Sequence, residues 1–151
     1  VAGFAGRRAE SEAQGKYRGL GLSMYLEQCG QGGGGGVDIE FAADGSVVLF
    51  ASQQDNGQGH LTTLTQIFSD RLGYDAELIK VVQGDSLRTP PGTTGGAKMA
   101  SVLGSSVSEA ASLIAVDAQK LAAEHLGVDD ADVGLVECVF TASGTNQSIS
   151  F

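Results

Sequence analysis

The sequence predicts an α+β fold, in which a mixed or antiparallel sheet made of hairpins carries two main helices on one face. Residues 37–41 alternate apolar and acidic side chains, and residues 47–51 are apolar throughout, with a short Asp-Gly turn between them. Two longer segments, 61–72 and 100–126, repeat apolar side chains every three or four positions, as helices do. Each of these helices follows a glycine-rich loop, so the loops and helices together organise the chain.

The other elements are predicted from shorter patterns. Residues 3–14 form a polar helix that Gly15 ends, with Arg8 and Glu12 spaced to pair across one turn. Within the glycine-rich loop 30–36, five consecutive glycines predict a flexible connection because glycine loses much backbone entropy on ordering. Strands are expected at residues 19–28, where the strand should be buried, and at 76–83, 133–141 and 147–151.

Composition limits the classes of partner. The chain has 151 residues and a net charge of −9, so it forms one domain or part of one, and duplex nucleic acid is disfavoured. We expect no membrane partner, because no apolar run approaches the roughly 18 residues that a span needs. We expect no signal peptide, because the chain shows no basic start followed by an apolar core. Cys29 and Cys138 lack the spacing of a zinc site.

The first candidate binding segment is the loop 53–60. Gly57 and Gly59 flank Gln58, and glycine lets a backbone approach a ligand closely. Together with Asn56 and His60 they stand just before a helix, whose first N–H groups are free to bind an acceptor. A polar ligand, phosphate-bearing or pterin-like, fits this pattern, and so does a plain strand-to-helix turn that needs glycine.

The second candidate segment is the loop 89–99. Its residues 92–99, GTTGGAKM, approach the phosphate-loop pattern but place Ala97 at an invariant glycine and Met99 at the magnesium-binding hydroxyl. Nucleotide hydrolysis is therefore disfavoured. Backbone N–H groups beside Lys98 could still hold a phosphate without a metal.

No catalytic residue is predicted. His60 and His125 are the only histidines, and His125 lies in the last turn of the long helix, where a cation suits the helix dipole. Carboxylates are scattered over turns and helix faces, so no general base can be assigned.

The order of several short motifs resembles the molybdenum-cofactor-binding large subunit of the xanthine dehydrogenase, aldehyde oxidase and carbon monoxide dehydrogenase family. The most specific match is DNGQGH at residues 55–60. The others, in chain order, are GFAGRR at 3–8, GKYRGLG at 15–21, LG at 72–73, GDS at 84–86 and NQSISF at 146–151. The bacterial carbon monoxide dehydrogenase type is the most similar, and the resemblance runs over almost the whole chain.

The resemblance implies that both loops hold molybdopterin, the molybdenum cofactor, in some relatives as its cytosine dinucleotide. Gln58 would contact the pterin through its amide, which can donate and accept, while the residues around it shape the approach. Related sequences commonly read GGSRS where this chain reads GGAKM, so two hydroxyls are missing from the phosphate end. The implied cofactor-binding residues are Asn56, Gly57, Gln58, Gly59, Gly95, Gly96, Ala97, Lys98 and Met99.

The family also implies what lies outside the chain. Its catalytic glutamate is far downstream, and its iron–sulfur and FAD groups sit on other domains or subunits. The chain is thus expected to be an internal fragment of a cytoplasmic oxidoreductase, some of whose relatives are exported to the periplasm, and to be inactive alone. It should contact the remainder of the large subunit and self-associate. A binding or assembly module that has lost the cofactor, and a phosphate-loop nucleotide binder, are the alternatives.

Overall fold

The computed structural model describes residues 1–30 and 34–151. It contains two three-stranded sheets and three α-helices, in agreement with the predicted α+β class. In chain order the elements are α1 (Phe4–Ala13), β1 (Val37–Phe41), β2 (Val47–Ala51), α2 (His60–Leu72), β3 (Ile79–Gln83), α3 (Gly104–Leu126), β4 (Val133–Val136), β5 (Val139–Ala142) and β6 (Ser148–Ser150).

The first sheet has the order β1-β2-β3, with β1 antiparallel to β2 and β2 parallel to β3. β2 is central, as its apolar sequence predicts, and the chain crosses from β2 to β3 through α2. The expected strand at 76–83 begins later, because Ala76–Leu78 form a 3₁₀ turn in which the Glu77 N–H donates to the Asp75 carboxylate at 3.0 Å. Both the loop 53–60 and the segment after β3 therefore leave the same edge of the sheet, the carboxyl ends of two parallel strands.

The second sheet is an antiparallel meander, β4-β5-β6. The prediction of one strand over residues 133–141 was wrong, since the chain turns back at Glu137 and Cys138. Both residues have positive φ, 46° and 64°, which a two-residue hairpin turn requires. This turn packs against Gly73, where a Cβ would lie 2.7 Å from the Glu137 Cα. The absence of a side chain at Gly73 leaves the space that this turn occupies.

The core lies between the first sheet and the two main helices. Leu64, Phe68 and Leu72 of α2 are buried against it, whereas Leu61, which the helical repeat placed on the same face, is exposed. Gly73 ends α2 in the left-handed conformation, and its N–H donates to the Ser69 carbonyl at 2.8 Å.

The long helix also departs from a simple repeat. A π-helical turn, Met99–Leu103, precedes α3, and Gly104 at the junction lets Ile67 of α2 approach to 3.1 Å of a Cβ position. By length and composition, Met99–Leu126 would suit a membrane span, a test that core helices also pass. Val107 and Ala111 are buried against α2 and the first sheet, whereas Leu113, Val116 and Leu121 of the same helix are exposed.

Residues 19–28 do not form the predicted buried strand. They are exposed and have neither regular secondary structure nor strand pairing among the described residues. The pattern there is typical of a strand, but a strand needs a neighbouring strand to hydrogen-bond its backbone N–H and C=O groups. Residues 19–28 pair with neither of the two described sheets.

The glycine-rich loop 30–36 lies partly outside the described residues, at 31–33. Residues 34–36 form no helix or strand and are hydrogen-bonded to the core, while the flexibility expected of this loop stays a prediction. Gly36 exchanges hydrogen bonds of 3.0 Å with Ser52, and Gly35 O accepts from the Ser106 hydroxyl at 2.7 Å. A Cβ at Gly35 would lie 3.3 Å from the Leu103 backbone, so glycine allows close packing here.

Candidate functional site

The loop 53–60 is folded around the carboxylate of Asp55. Its Oδ1 accepts the Gly57 N–H at 2.7 Å and the Gln58 N–H at 2.9 Å, an Asx-type turn. These bonds, that from Gly57 above all, lower the pKa of Asp55 below its ordinary value of 3.8. Gly57 and Gly59 have φ of 96° and 77°, which side chains rarely adopt, so both glycines are required by the turn.

Gln58 lies at the exposed tip of this turn. Its amide oxygen accepts the backbone N–H of Asn56. No hydrogen bond of the Gln58 amide N–H₂ group is found among the described residues, so its two donors point to solvent or a ligand. Gln58 can therefore serve as a donor at the edge of the cleft described below.

His60 is the first residue of α2 and is only 5% exposed. Its Nδ1 lies 3.9 Å from Asp55 Oδ1, too far for a hydrogen bond, and has no partner within residues 1–30 and 34–151. A buried ring nitrogen without a partner carries a desolvation cost, which a bound polar group could remove.

The loop 89–99 crosses the first loop at close range. Gly92 lies against Ser52, such that a Cβ on Gly92 would be 2.5 Å from the Ser52 carbonyl oxygen. Two residues later, the Thr94 hydroxyl donates to the Gln54 carbonyl at 2.6 Å. The two loops, about 40 residues apart in sequence, are therefore held in one arrangement by backbone packing and a hydrogen bond.

Lys98, near the end of the second loop, has a largely buried side chain. Ala97 has φ of 47°, the left-handed conformation that favours glycine, and Lys98 follows with only 6% exposure. Lys98 Nζ contacts the Thr93 hydroxyl at 3.4 Å, a weak hydrogen bond, and within the described ranges no carboxylate lies within ion-pair distance of it. A largely buried cation without a counterion favours binding of an anion.

Between the start of α2 and the second loop lies a cleft of about 300 Å³. Its walls are mainly apolar, with a few polar groups, as is usual for small-molecule sites. The lining residues are Gln58, His60, Thr63, Leu64, Thr94, Gly95, Ala97, Lys98, Met99 and Ala100.

Five of the nine predicted cofactor-binding residues line this cleft. They are Gln58, Gly95, Ala97, Lys98 and Met99. The remaining four, Asn56, Gly57, Gly59 and Gly96, lie in the same two loops and shape their backbones instead. The assignment of all nine to a cofactor stays a prediction.

Several lining residues have no sequence signal that marks them as part of a site. His60 stands beside the glycines of the first loop, but one histidine without a visible partner in the sequence indicates little. Thr63, one turn into α2, and Thr94 carry no motif. Only the fold brings them to the same cleft.

The position of Met99 does not support the nucleotide-binding alternative. Met99, at the position of the magnesium-binding hydroxyl, is buried in the core.

The sequence of this chain is similar to that of known molybdopterin-binding proteins. The whole chain, residues 1–151, matches the family model of the molybdopterin cofactor-binding domain. It is 32% identical to the nicotine 6-hydroxylase large subunit of Paenarthrobacter nicotinovorans, over 96% of this chain and 19% of that protein. It is 33% identical to the carbon monoxide dehydrogenase large chain of Hydrogenophaga pseudoflava, over 85% of this chain and 17% of that protein.

Solved structures give the same relationship. A crystal structure of Cu,Mo-CO dehydrogenase in its carbon monoxide reduced state superposes with a TM-score of 0.77 at 28% identity, over 98% of this chain and 21% of that one. Quinoline 2-oxidoreductase from Pseudomonas putida 86 gives a TM-score of 0.60 at 26% identity, over 93% of this chain and 20% of that one. The chain thus spans about a fifth of the length of these relatives. It belongs to the molybdopterin cofactor-binding domain family, homologous to part of the large subunit of molybdenum-dependent dehydrogenases and hydroxylases.

Proposed function

We propose that this chain forms part of the cofactor cradle in the large subunit of a molybdenum hydroxylase, and that the cleft between its two loops is where it contacts the cofactor. The observation that carries this proposal is the clamp between the loops. The Thr94–Gln54 hydrogen bond of 2.6 Å and the Gly92–Ser52 contact hold Gln58 and Lys98 on one cleft.

The residues present fit a molybdopterin. Such a ligand combines a flat heterocycle rich in N–H and C=O groups with an anionic phosphate. Gln58 offers amide donors to the heterocycle, and the unpaired Nδ1 of buried His60 offers one further polar contact. Lys98 places a positive charge, without a described counterion, beside the backbone of Gly95, where the phosphate end would lie.

When bound, the cofactor would supply the redox centre at which a water-derived oxygen is inserted into a carbon centre of the substrate. We assign no catalytic role in that reaction to residues of this chain. They bind and orient: the backbone turn at Asp55 holds Gln58 in place, while Leu64 and Met99 form apolar walls that exclude water from one side of the cleft.

The finer proposals concern the whole subunit. We expect the cofactor to be molybdopterin, with its cytosine dinucleotide as one candidate form, and iron–sulfur and FAD groups on partner domains or subunits. The cytoplasm is the proposed compartment, with export to the periplasm as in some relatives. These proposals are supported by membership of the family, in which the matched proteins include a nicotine 6-hydroxylase subunit and carbon monoxide dehydrogenase chains.

The test is metal and pterin analysis of the full-length subunit purified from its own host. We expect molybdenum and releasable pterin near one per subunit, and loss of both on Gln58→Ala. The matched control is Gln66→Ala, which removes the same amide from an exposed position of α2 outside the cleft.

Two results would contradict the proposal. Equal molybdenum in the Gln58→Ala and Gln66→Ala subunits would remove Gln58 from the site. A folded wild-type subunit without molybdenum or pterin would instead support the alternative, a binding module in which the GGAKM sequence marks a lost cofactor site.

A further inference from the structure

Residues 19–28 combine the sequence pattern of a strand with an exposed position. Leu20, Leu22, Met24 and Leu26 stand at every second position and are 59%, 91%, 90% and 99% exposed. In a β-strand alternate side chains point to the same face, so strand pairing of this segment would bring these four into one apolar stripe. Gly21, Ser23 and the exposed Tyr25 stand between them in the sequence, and so would lie on the other face.

The backbone of the same segment is also unpaired. The flanking residues are anchored, with Lys16 N–H donating to Ser11 O at 2.9 Å and Gly30 N–H to Gly96 O at 3.1 Å. Between these anchors, no backbone hydrogen bond of residues 19–28 is found to any described residue. An apolar stripe with open N–H and C=O groups is the pattern of a strand that pairs with a sheet edge.

We propose that residues 19–28 form a β-strand that pairs with the edge of a sheet in another part of the large subunit and buries this apolar stripe against it. The inference rests on the proposed function insofar as it requires a longer subunit. The matched relatives are about five times as long as this chain, since it covers only 19% of the nicotine 6-hydroxylase large subunit.

A second copy of the chain is a poorer partner for two reasons. The edge strands available on a copy are short, five residues in β1 and β3, four in β4 and three in β6, against ten in the segment. Each copy also carries a net charge of −9, so two copies repel one another. A longer sheet edge with an apolar face, elsewhere in the subunit, would avoid both the short pairing length and the repulsion between two copies.

The experiment is hydrogen–deuterium exchange of the full-length subunit, read by mass spectrometry on peptides that cover residues 19–28. Paired amides should exchange at least about tenfold more slowly than the same peptide does when unstructured. The Leu22→Asn variant, on the apolar stripe, should remove this protection, whereas Ser23→Asn, one position along and on the other face, should keep it.

Each outcome decides the proposal. Fast exchange in the wild-type subunit would overturn it, as would equal behaviour of the two variants. Slow exchange that is lost on dilution, together with a dimer in sedimentation, would assign the partner to a second copy and also overturn it. Molybdenum measured on the same preparation separates this test from that of the proposed function, because strand protection and cofactor content can fail independently.

Discussion

Replacing Gly92 by alanine should disturb the cleft by a predictable amount. A Cβ there would lie 2.5 Å from the Ser52 carbonyl oxygen and 2.8 Å from the Ser52 Cβ. Ser52 cannot move aside cheaply, since it is buried at the end of β2 and exchanges two 3.0 Å hydrogen bonds with Gly36. Relief must come from displacement of the second loop, which carries Thr94 and Lys98.

The magnitude follows from the type of contact. Overpacking of a well-ordered site costs about 1–3 kcal/mol. The matched control is Gly95→Ala in the same loop, where no atom lies within 4 Å of the added Cβ and φ is outside the left-handed region. That substitution should change stability by no more than about 0.5 kcal/mol.

The assay is urea unfolding followed by circular dichroism, which gives the free energy of unfolding of wild type and both variants. We expect Gly92→Ala to lose about 1–3 kcal/mol relative to Gly95→Ala. Equal free energies of unfolding for the two variants would refute the loop-crossing contact and, with it, the packing that holds the two loops on one cleft.

Further predictions follow from other contacts. Gly73→Ala and Gly127→Ala place a side chain at left-handed helix ends, φ 68° and 71°, and each should cost about 1–2 kcal/mol. Only at Gly73 would the added Cβ also collide with the β4–β5 turn, so Gly73→Ala should lose about 1–3 kcal/mol more free energy of unfolding than Gly127→Ala. Equal losses of stability for the two variants in thermal unfolding would contradict this. The pKa of Asp55 is lowered in the folded protein, so its stabilisation is present above its ordinary pKa of 3.8 and lost as pH falls through its folded pKa. Unfolding measured against pH should therefore show wild type and Asp55→Asn converging in acid, and a constant difference would count against the turn. Thr94→Val removes the hydroxyl that joins the loops, at a cost of about 0.5–1.5 kcal/mol in the free energy of unfolding; an unchanged value would show that the bond contributes nothing.

Predictions that rest on local signals are confirmed. The first helix with its Arg8–Glu12 pair, at 3.0 Å, depends only on residues within one or two turns. The β1–β2 hairpin is similar, because the Asp44 carboxylate accepts both the N–H and the hydroxyl of Ser46 and closes the turn locally.

Two strand predictions that depend on residues far away in the sequence were wrong. The strand pattern at 19–28 is real, but pairing depends on a sheet edge that the sequence of the segment does not specify. The turn at Glu137 and Cys138 lacks the usual turn residues, and it forms where Gly73, more than 60 residues earlier, leaves room for it.

The sequence by itself determined the α+β class, the two glycine-rich loops and the helices that follow them, because glycine placement and apolar periodicity act over a few residues. Only the tertiary structure decided that the loops cross, that Thr94 closes on Gln54, and that His60 and Lys98 face one cleft. These are contacts between residues tens of positions apart. They arise because α2 and α3 pack on the first sheet. The hydrophobic effect that drives this packing depends on the apolar area buried and not on which polar side chains are brought together as a result.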